Sequence, residues 1–239
     1  MSQQDNLSGK LIVLEGIDGS GTTTQTGRLV NFLRCRGYEV LSTCEPGTPH
    51  NNQCRRLRRE IFEEFHRVSP LTQLLLFWAD RSIHFKKVVA PALEQGKIVI
   101  CDRSHPSTYA YQVFQAKGLE REFLEQFFFN HDVNIRGGIV PDLVVFLDVA
   151  PQIACQRSQR KGEDAGKIVG VESNPEVQQQ LQVAYRHLAS LGRGFLELYG
   201  ICKKWVTIDG NPAPDAVFTA VWKEAAKLLG IKKGGENNG

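Results

Sequence analysis

Gly16 and Gly21, with four residues between them, stand between the apolar run Leu11–Leu14 and the threonines Thr22, Thr23 and Thr24. The spacing is that of the phosphate-loop pattern G-x-x-x-x-G-K-[ST], which has to follow a strand and open a helix. Glycines at these points let successive backbone N–H groups close around a phosphate without an intruding Cβ. The helix that follows adds free N–H donors and the positive end of its dipole. A lysine ordinarily comes after the second glycine and reaches the outer phosphates. Here that position is Thr22, and Thr23 stands where a metal-binding hydroxyl belongs. The loop Gly16, Ile17, Asp18, Gly19, Ser20, Gly21, Thr22, Thr23, Thr24 is therefore expected to bind a nucleotide, with the missing charge supplied from elsewhere.

Five short apolar runs rich in β-branched residues recur along the chain: Leu11–Glu15, Glu39–Thr43, Ile98–Asp102, Leu143–Asp148 and Trp205–Asp209. Their continuous apolar character predicts a parallel sheet covered on both faces. Helices are predicted over Thr23–Arg36, Gln53–Phe65, Pro70–Phe85, Leu119–Asn130, Pro175–Tyr199 and Pro214–Leu229. The last places Val217, Phe218, Val221, Trp222, Ala225 and Leu228 on one face. Such alternation gives a doubly wound α/β fold with its ligands at the carboxyl ends of the strands. The stretch Gln159–Asn174 is polar, Gly-rich and without a periodic apolar face, and it reads as a mobile flap. Residues 1–229 are expected to form a single domain, with a frayed tail over 230–239.

A chain of 239 residues, 41% hydrophobic, fills the core of one such domain. The net charge of +3 does not point to nucleic acid or to a membrane surface. The six cysteines show no C-x-x-C pair and no metal-ligand spacing, and Cys101 reads as a buried free thiol. No apolar run reaches the length of a membrane span, and Met1–Lys10 has no signal-peptide character, so a reducing cytoplasm is the expected compartment. Arg55, Arg56, Arg58 and Arg59 form a basic cluster, either a solvated helix face or a polyanion site.

A second constellation lies just past the Ile98–Ile100 run: Cys101-Asp102-Arg103-Ser104-His105-Pro106-Ser107-Thr108-Tyr109-Ala110-Tyr111-Gln112. An Asp-Arg pair at the carboxyl end of a strand would sit beside the phosphate loop. With Leu74–Arg81 before it, with Glu45-Pro46-Gly47 and with Pro141–Val149, the ordered set Glu15–Thr24, Glu45–Gly47, Leu75–Arg81, Asp102–Gln112 and Pro141–Val149 resembles the thymidylate kinase family. The resemblance spans about residues 10–229.

It implies a P-loop NTPase fold of three layers, a five-stranded parallel sheet flanked by helices, with a mobile lid at about 157–174. It implies transfer of the ATP γ-phosphoryl group to dTMP, giving dTDP and ADP, with Mg²⁺ and in a homodimer. Phe77 and Arg81, four apart on a helix face, would stack on the base and hold the monophosphate. The bland alternative for Phe77 is a core aromatic, since Leu74–Leu76 read as buried. Arg103 would clamp the acceptor phosphate. Asp102 would hold a metal-bound water or orient Arg103, with a structural ion pair as the alternative. Thr108 and Tyr111 match positions facing the base, Asp18 one that contacts the sugar 3′-hydroxyl, and Arg55 the arginine after E-P-G. Thr23 would ligate the metal. Some members of the family carry an extra catalytic arginine in the phosphate loop and others in the lid. Ile17 and Ser20 leave this loop without a base, so Arg157 and Arg160, with Lys161 and Lys167 beyond them, would bring positive charge on closure.

The chain departs from the family at Thr22 in place of lysine, at Cys44 in place of the arginine of R-E-P, and at Gly47-Thr48-Pro49, one glycine shorter than G-G-T-P. Two rival readings follow: a kinase of another pyrimidine nucleotide such as dUMP or a modified one, and a nucleotide-binding relative without catalysis.

Overall fold

A residue in a doubly covered strand must be apolar on both sides; in a computed structural model that describes residues 9–64, 67–164 and 174–231, the central three of the five runs obey this, and the two edge runs, with half-buried Ser42 and exposed Thr207, do so only in part. The five form one parallel sheet of β1 (Lys10–Glu15), β2 (Val40–Cys44), β3 (Ile98–Asp102), β4 (Leu143–Asp148) and β5 (Trp205–Asp209), in the order β2-β3-β1-β4-β5. Alternate side chains divide between two cores. Leu11, Val13, Val99 and Val144 pack into one, and Ile12, Leu14, Ile100 and Val145 into the other. Each fully buried side chain of this size adds about 1.5–3 kcal/mol relative to exposure.

The second face is covered by α1 (Thr22–Arg34) through Leu29 and Leu33, and by α10 (Pro214–Leu228) through Val217, Val221 and Ala225. The expected stripe on α10 is thus present, with Phe218, Trp222 and Leu228 half-buried along it. The first face carries α3 (Pro70–His84), which runs through a π-helical turn, Phe85–Val89, into the short α4 (Ala90–Glu94). It also carries α6 (Gly118–Ile135). The remaining helices are α2 (Asn52–Glu64), α5 (His105–Thr108) with a π-helical turn over Tyr109–Val113, α7 (Pro151–Asp164), α8 (Pro175–Ser190) and α9 (Gly192–Leu198).

Three expectations need correction. The predicted helix Pro175–Tyr199 is two helices, because Gly192 takes a φ of 78° that a helix cannot continue through. The predicted flap begins too early, since residues 159–164 are helical in α7. Gln, Arg, Lys and Glu are good helix formers and carry the helix on without a periodic apolar face. The rest of that flap, 165–173, including Lys167, lies outside the described residues, as does the tail from 232 onward. Finally, Leu74 is buried but Leu75 is 47% exposed and Leu76 is half-buried, so the run is not a core segment as a whole. Among the described residues no helix is long and apolar enough to cross a membrane.

In this order the connection from β1 runs to one side, towards β2, and that from the adjacent β3 to the other, towards β4. A crevice opens at such a switch point. Gly16, Arg103 and Val149 follow the three strands into it.

Candidate active site

The loop after β1 folds back through a turn in which the Ser20 amide donates to the Ile17 carbonyl at 3.0 Å. Gly19 is packed so closely on α7 that a Cβ there would lie 2.0 Å from the Ala154 carbonyl oxygen. Gly21 caps α1 with a φ of 96°, a conformation open to glycine, and no side chain caps that helix. The first amides of α1 are left for a ligand rather than for a serine hydroxyl or an aspartate carboxylate. Thr22, in the place of the lysine, is buried, and Thr23 and Thr24 are exposed. The Thr23 hydroxyl donates to Asp102 Oδ2 at 2.6 Å. Asp102 Oδ1 is buried with no hydrogen-bond partner.

Arg103 follows Asp102 out of β3. Its Nη2 donates to Asp18 Oδ1 at 2.5 Å and its Nη1 to the Tyr111 hydroxyl at 3.0 Å, while that hydroxyl donates to Asp18 Oδ2 at 2.8 Å. Burial alone would lower the guanidinium's pKa, but the adjacent Asp18 and Tyr111 outweigh it and hold Arg103 above the usual arginine range. Asp18, Arg103 and Tyr111, given separate roles from two motifs, therefore meet as one hydrogen-bonded group beside the phosphate loop. Tyr111 is consumed by this group, with its oxygen accepting from one partner and its proton given to the other.

Arg81 is placed differently from expectation. It is 1% exposed, with Nε on Glu45 Oε2 at 2.9 Å, Nη1 on Asp132 Oδ1 at 3.1 Å and Nη2 on Thr108 Oγ1 at 2.7 Å. A guanidinium engaged in three directions is a fixed part of the floor rather than an open fork for a phosphate. Thr108 accepts from it and so keeps its own proton to donate. Glu45 is further bound by His84 Nδ1 at 2.8 Å and by the Ser104 hydroxyl at 3.2 Å. Burial raises its carboxyl, but Arg81 and His84 reverse that and bring it down to about 2. Asp132 is held low in the same way, burial being overcome by Arg136 and Arg81, with Arg136 Nε at 2.9 Å. Phe77 is half-buried.

Arg55 is exposed and hydrogen-bonded to Asn52 on its own helix. Its neighbour Arg58 reaches the turn instead, donating to the Pro46 carbonyl at 2.7 Å. The helical spacing held this signal: Cys54 and Ile61 are buried, and Arg58 lies between them on that face. On α7, Arg157 is tied to the loop after β5 through the carbonyls of Gly210 and Asn211, each at 2.8 Å. Arg160, three residues on, is exposed. Sequence reasoning missed Glu15, Ser107 and Tyr185, which form a buried group under Arg103. It also missed Asp132 and Arg136, whose i,i+4 spacing inside a Phe-rich helix was the available clue.

Among the described residues no three acidic, histidine or cysteine side chains gather around a metal. Thr23 and the orphaned oxygen of Asp102 do offer hard oxygen ligands. That suits a Mg²⁺ ion, which keeps waters and shares phosphate oxygens rather than filling a protein cage.

The sequence profile described as thymidylate kinase matches residues 14–221. Among proteins of known description, a thymidylate kinase of Solidesulfovibrio magneticus is 33% identical over 222 residues, covering 91% of this chain and 99% of the relative. That of Pelotomaculum thermopropionicum is 34% identical over 227 residues, covering 93% and 95%. A probable thymidylate kinase of Pyrococcus horikoshii is 39% identical over 191 residues, covering 77% and 85%.

Proposed function

Since the chain belongs to the thymidylate kinase family, it is a phosphotransferase that phosphorylates dTMP to dTDP with ATP as donor, and we propose the following division of labour in its cleft. The observation that carries the assignment is the Asp18–Arg103–Tyr111 group, a charged fork held at the mouth of the phosphate loop.

Arg103 binds the acceptor phosphate, exchanging part of its contact with Asp18 for the substrate. Asp18 then faces the sugar hydroxyl, and Phe77 and Thr108 face the base. Arg81 holds Thr108 in place from below instead of contacting the phosphate. The backbone amides from Gly16 to Thr24 cradle the donor phosphates. Thr23 and Asp102 would hold Mg²⁺, which when bound neutralises charge between the donor β- and γ-phosphates. The acceptor oxygen is already anionic, so no general base is required, and catalysis is positioning with charge neutralisation. Arg160 takes over the role of the absent lysine when residues 157–174 close as a lid. Arg157 braces the loop after β5.

The catalytic unit spans residues 1–229 and works in the cytoplasm. Exposed Leu75 on α3 and exposed Leu119 and Phe123 on the adjoining α6 support a homodimer formed through that face. A coupled ADP-release assay with ATP, Mg²⁺ and a panel of nucleoside monophosphates tests the reading. Turnover much fastest with dTMP is the expected result. A preference for dUMP or a modified nucleotide would move the substrate, and silence in protein that binds ATP would leave a non-catalytic binder.

A further inference from the structure

Glu15 closes β1 immediately before the phosphate loop and is wholly buried, yet no contact with phosphate, sugar or base falls to it. Burying a carboxyl group is unfavourable unless its oxygens find donors. Here every donor comes from the acceptor side or from α8. Oε1 accepts the Ser104 amide at 2.7 Å, and Oε2 accepts the Ser107 hydroxyl at 2.6 Å and the Tyr185 hydroxyl at 3.0 Å.

The Ser104 amide is the one that follows Arg103. Among the described residues Arg103 is the one non-glycine with positive φ, 66°, a conformation that costs an L-residue about 1–3 kcal/mol. Its own amide still follows the ladder, donating to the Leu14 carbonyl at 2.9 Å. The left-handed turn then sends the next amide off the ladder and onto Glu15. Remove that acceptor and a buried amide is orphaned. The backbone would relax, and the Arg103 side chain would leave Asp18 and Tyr111. Burial raises the Glu15 carboxyl to about 7 against the pull of Ser107 and Arg103, in keeping with a site built to satisfy oxygens rather than to expose them.

We propose that Glu15 is the positioning residue for Arg103: it fixes the left-handed turn that aims the guanidinium at the acceptor phosphate, and through Tyr185 it ties that turn to α8. The proposal rests on the assignment of Arg103 to the acceptor phosphate, and the test separates the two.

Glu15→Leu and Arg103→Ala are made singly and together. dTMP affinity is measured by calorimetry, which needs no turnover, and KM for ATP is measured wherever turnover remains. Glu15→Leu weakens dTMP binding about 10- to 100-fold and leaves KM for ATP within about twofold, as expected of a misplaced contact group. In the Arg103→Ala background the same change costs less than about threefold, because the residue it positions is gone. An equal loss in both backgrounds, or a parallel rise in KM for ATP, overturns the proposal and makes Glu15 a general structural residue. If Arg103→Ala itself leaves dTMP binding intact, the assignment of Arg103 fails instead. Should Glu15→Leu not fold by circular dichroism, Glu15→Asp replaces it, drawing the oxygens back by one methylene. Its smaller loss, about threefold to tenfold, must vanish in the same way without Arg103.

Discussion

The two halves of the cleft are built on opposite plans. On the acceptor side each buried arginine has a carboxylate partner before any substrate arrives: Arg81 with Glu45 and Asp132, Arg136 with Asp132, and Arg103 with Asp18. On the donor side there are uncapped amides, a buried threonine where a lysine is usual, and one carboxylate oxygen with nothing bound to it. The first half is preorganised, so its binding energy is not spent on ordering side chains. The second is left to be completed by what binds and by what closes. On the proposed division of labour, this phosphate loop does without its fixed cation because the acceptor half is rigid and the donor half receives charge late.

Removing Arg103 should break this contrast most severely. Arg103→Ala is expected to lower kcat/KM for dTMP about 10²–10³-fold, since a preorganised charged contact is lost, and steady-state kinetics measures it. Next comes the donor half: Arg160→Ala should lower kcat about 10²-fold with dTMP affinity unchanged by calorimetry. Arg157→Ala should instead raise KM for ATP, because the guanidinium holds the Gly210–Pro212 carbonyls. If both variants keep full kcat, the donor half is not completed from α7. Asp102→Asn should raise the Mg²⁺ concentration needed for half-maximal turnover about tenfold, and a Mg²⁺ titration would show it.

The smallest effect separates two buried carboxylates that share Ser104, whose hydroxyl binds Glu45 and whose amide binds Glu15. Glu45 lies near 2 in the folded protein against an ordinary 4.5, so its stabilisation is complete above 4.5 and is lost as pH falls from there towards 2. Glu15 lies near 7, so the folded state keeps a proton that the unfolded state releases. Its contribution therefore turns against folding as pH rises from 4.5 to 7. Chemical denaturation at pH 5 and pH 8 should show a slope of about 1–3 kcal/mol from this source, absent in Glu15→Gln.

The sheet was legible because its central strands are continuously apolar and its edge strands are rich in β-branched residues, and three of five were placed to the residue. β2 was read one residue early, with Cys44 left out, because its flanks are polar. The short helix His105–Thr108 and both π-helical turns were not legible, since four or five residues carry no periodicity. Within the site, motif spacing brought out Asp18, Asp102, Arg103 and Tyr111 one by one, but could not say that Asp18, Arg103 and Tyr111 share hydrogen bonds, nor which arginine is engaged on every side. Arg81 and Arg103 have the same chemistry in the sequence. Only the depth at which α3 is packed, with Glu45 and Asp132 converging on one guanidinium, distinguishes a floor from a clamp. Glu15 was hidden for a related reason: its partners lie 89, 92 and 170 residues away.

The bare start of α1 reaches beyond chemistry. A helix that carries no cap of its own is finished by whatever anion docks on it, so a nucleotide seated there as proposed would also be a piece of the fold. Mass action then makes the protein's lifetime a function of the nucleotide pool. At a ligand concentration a hundred times its dissociation constant, binding adds about 2.7 kcal/mol to the folded state. In a starved cell, with little nucleotide to complete that helix, the enzyme would unfold and be degraded sooner, and its abundance would follow the supply of what it consumes.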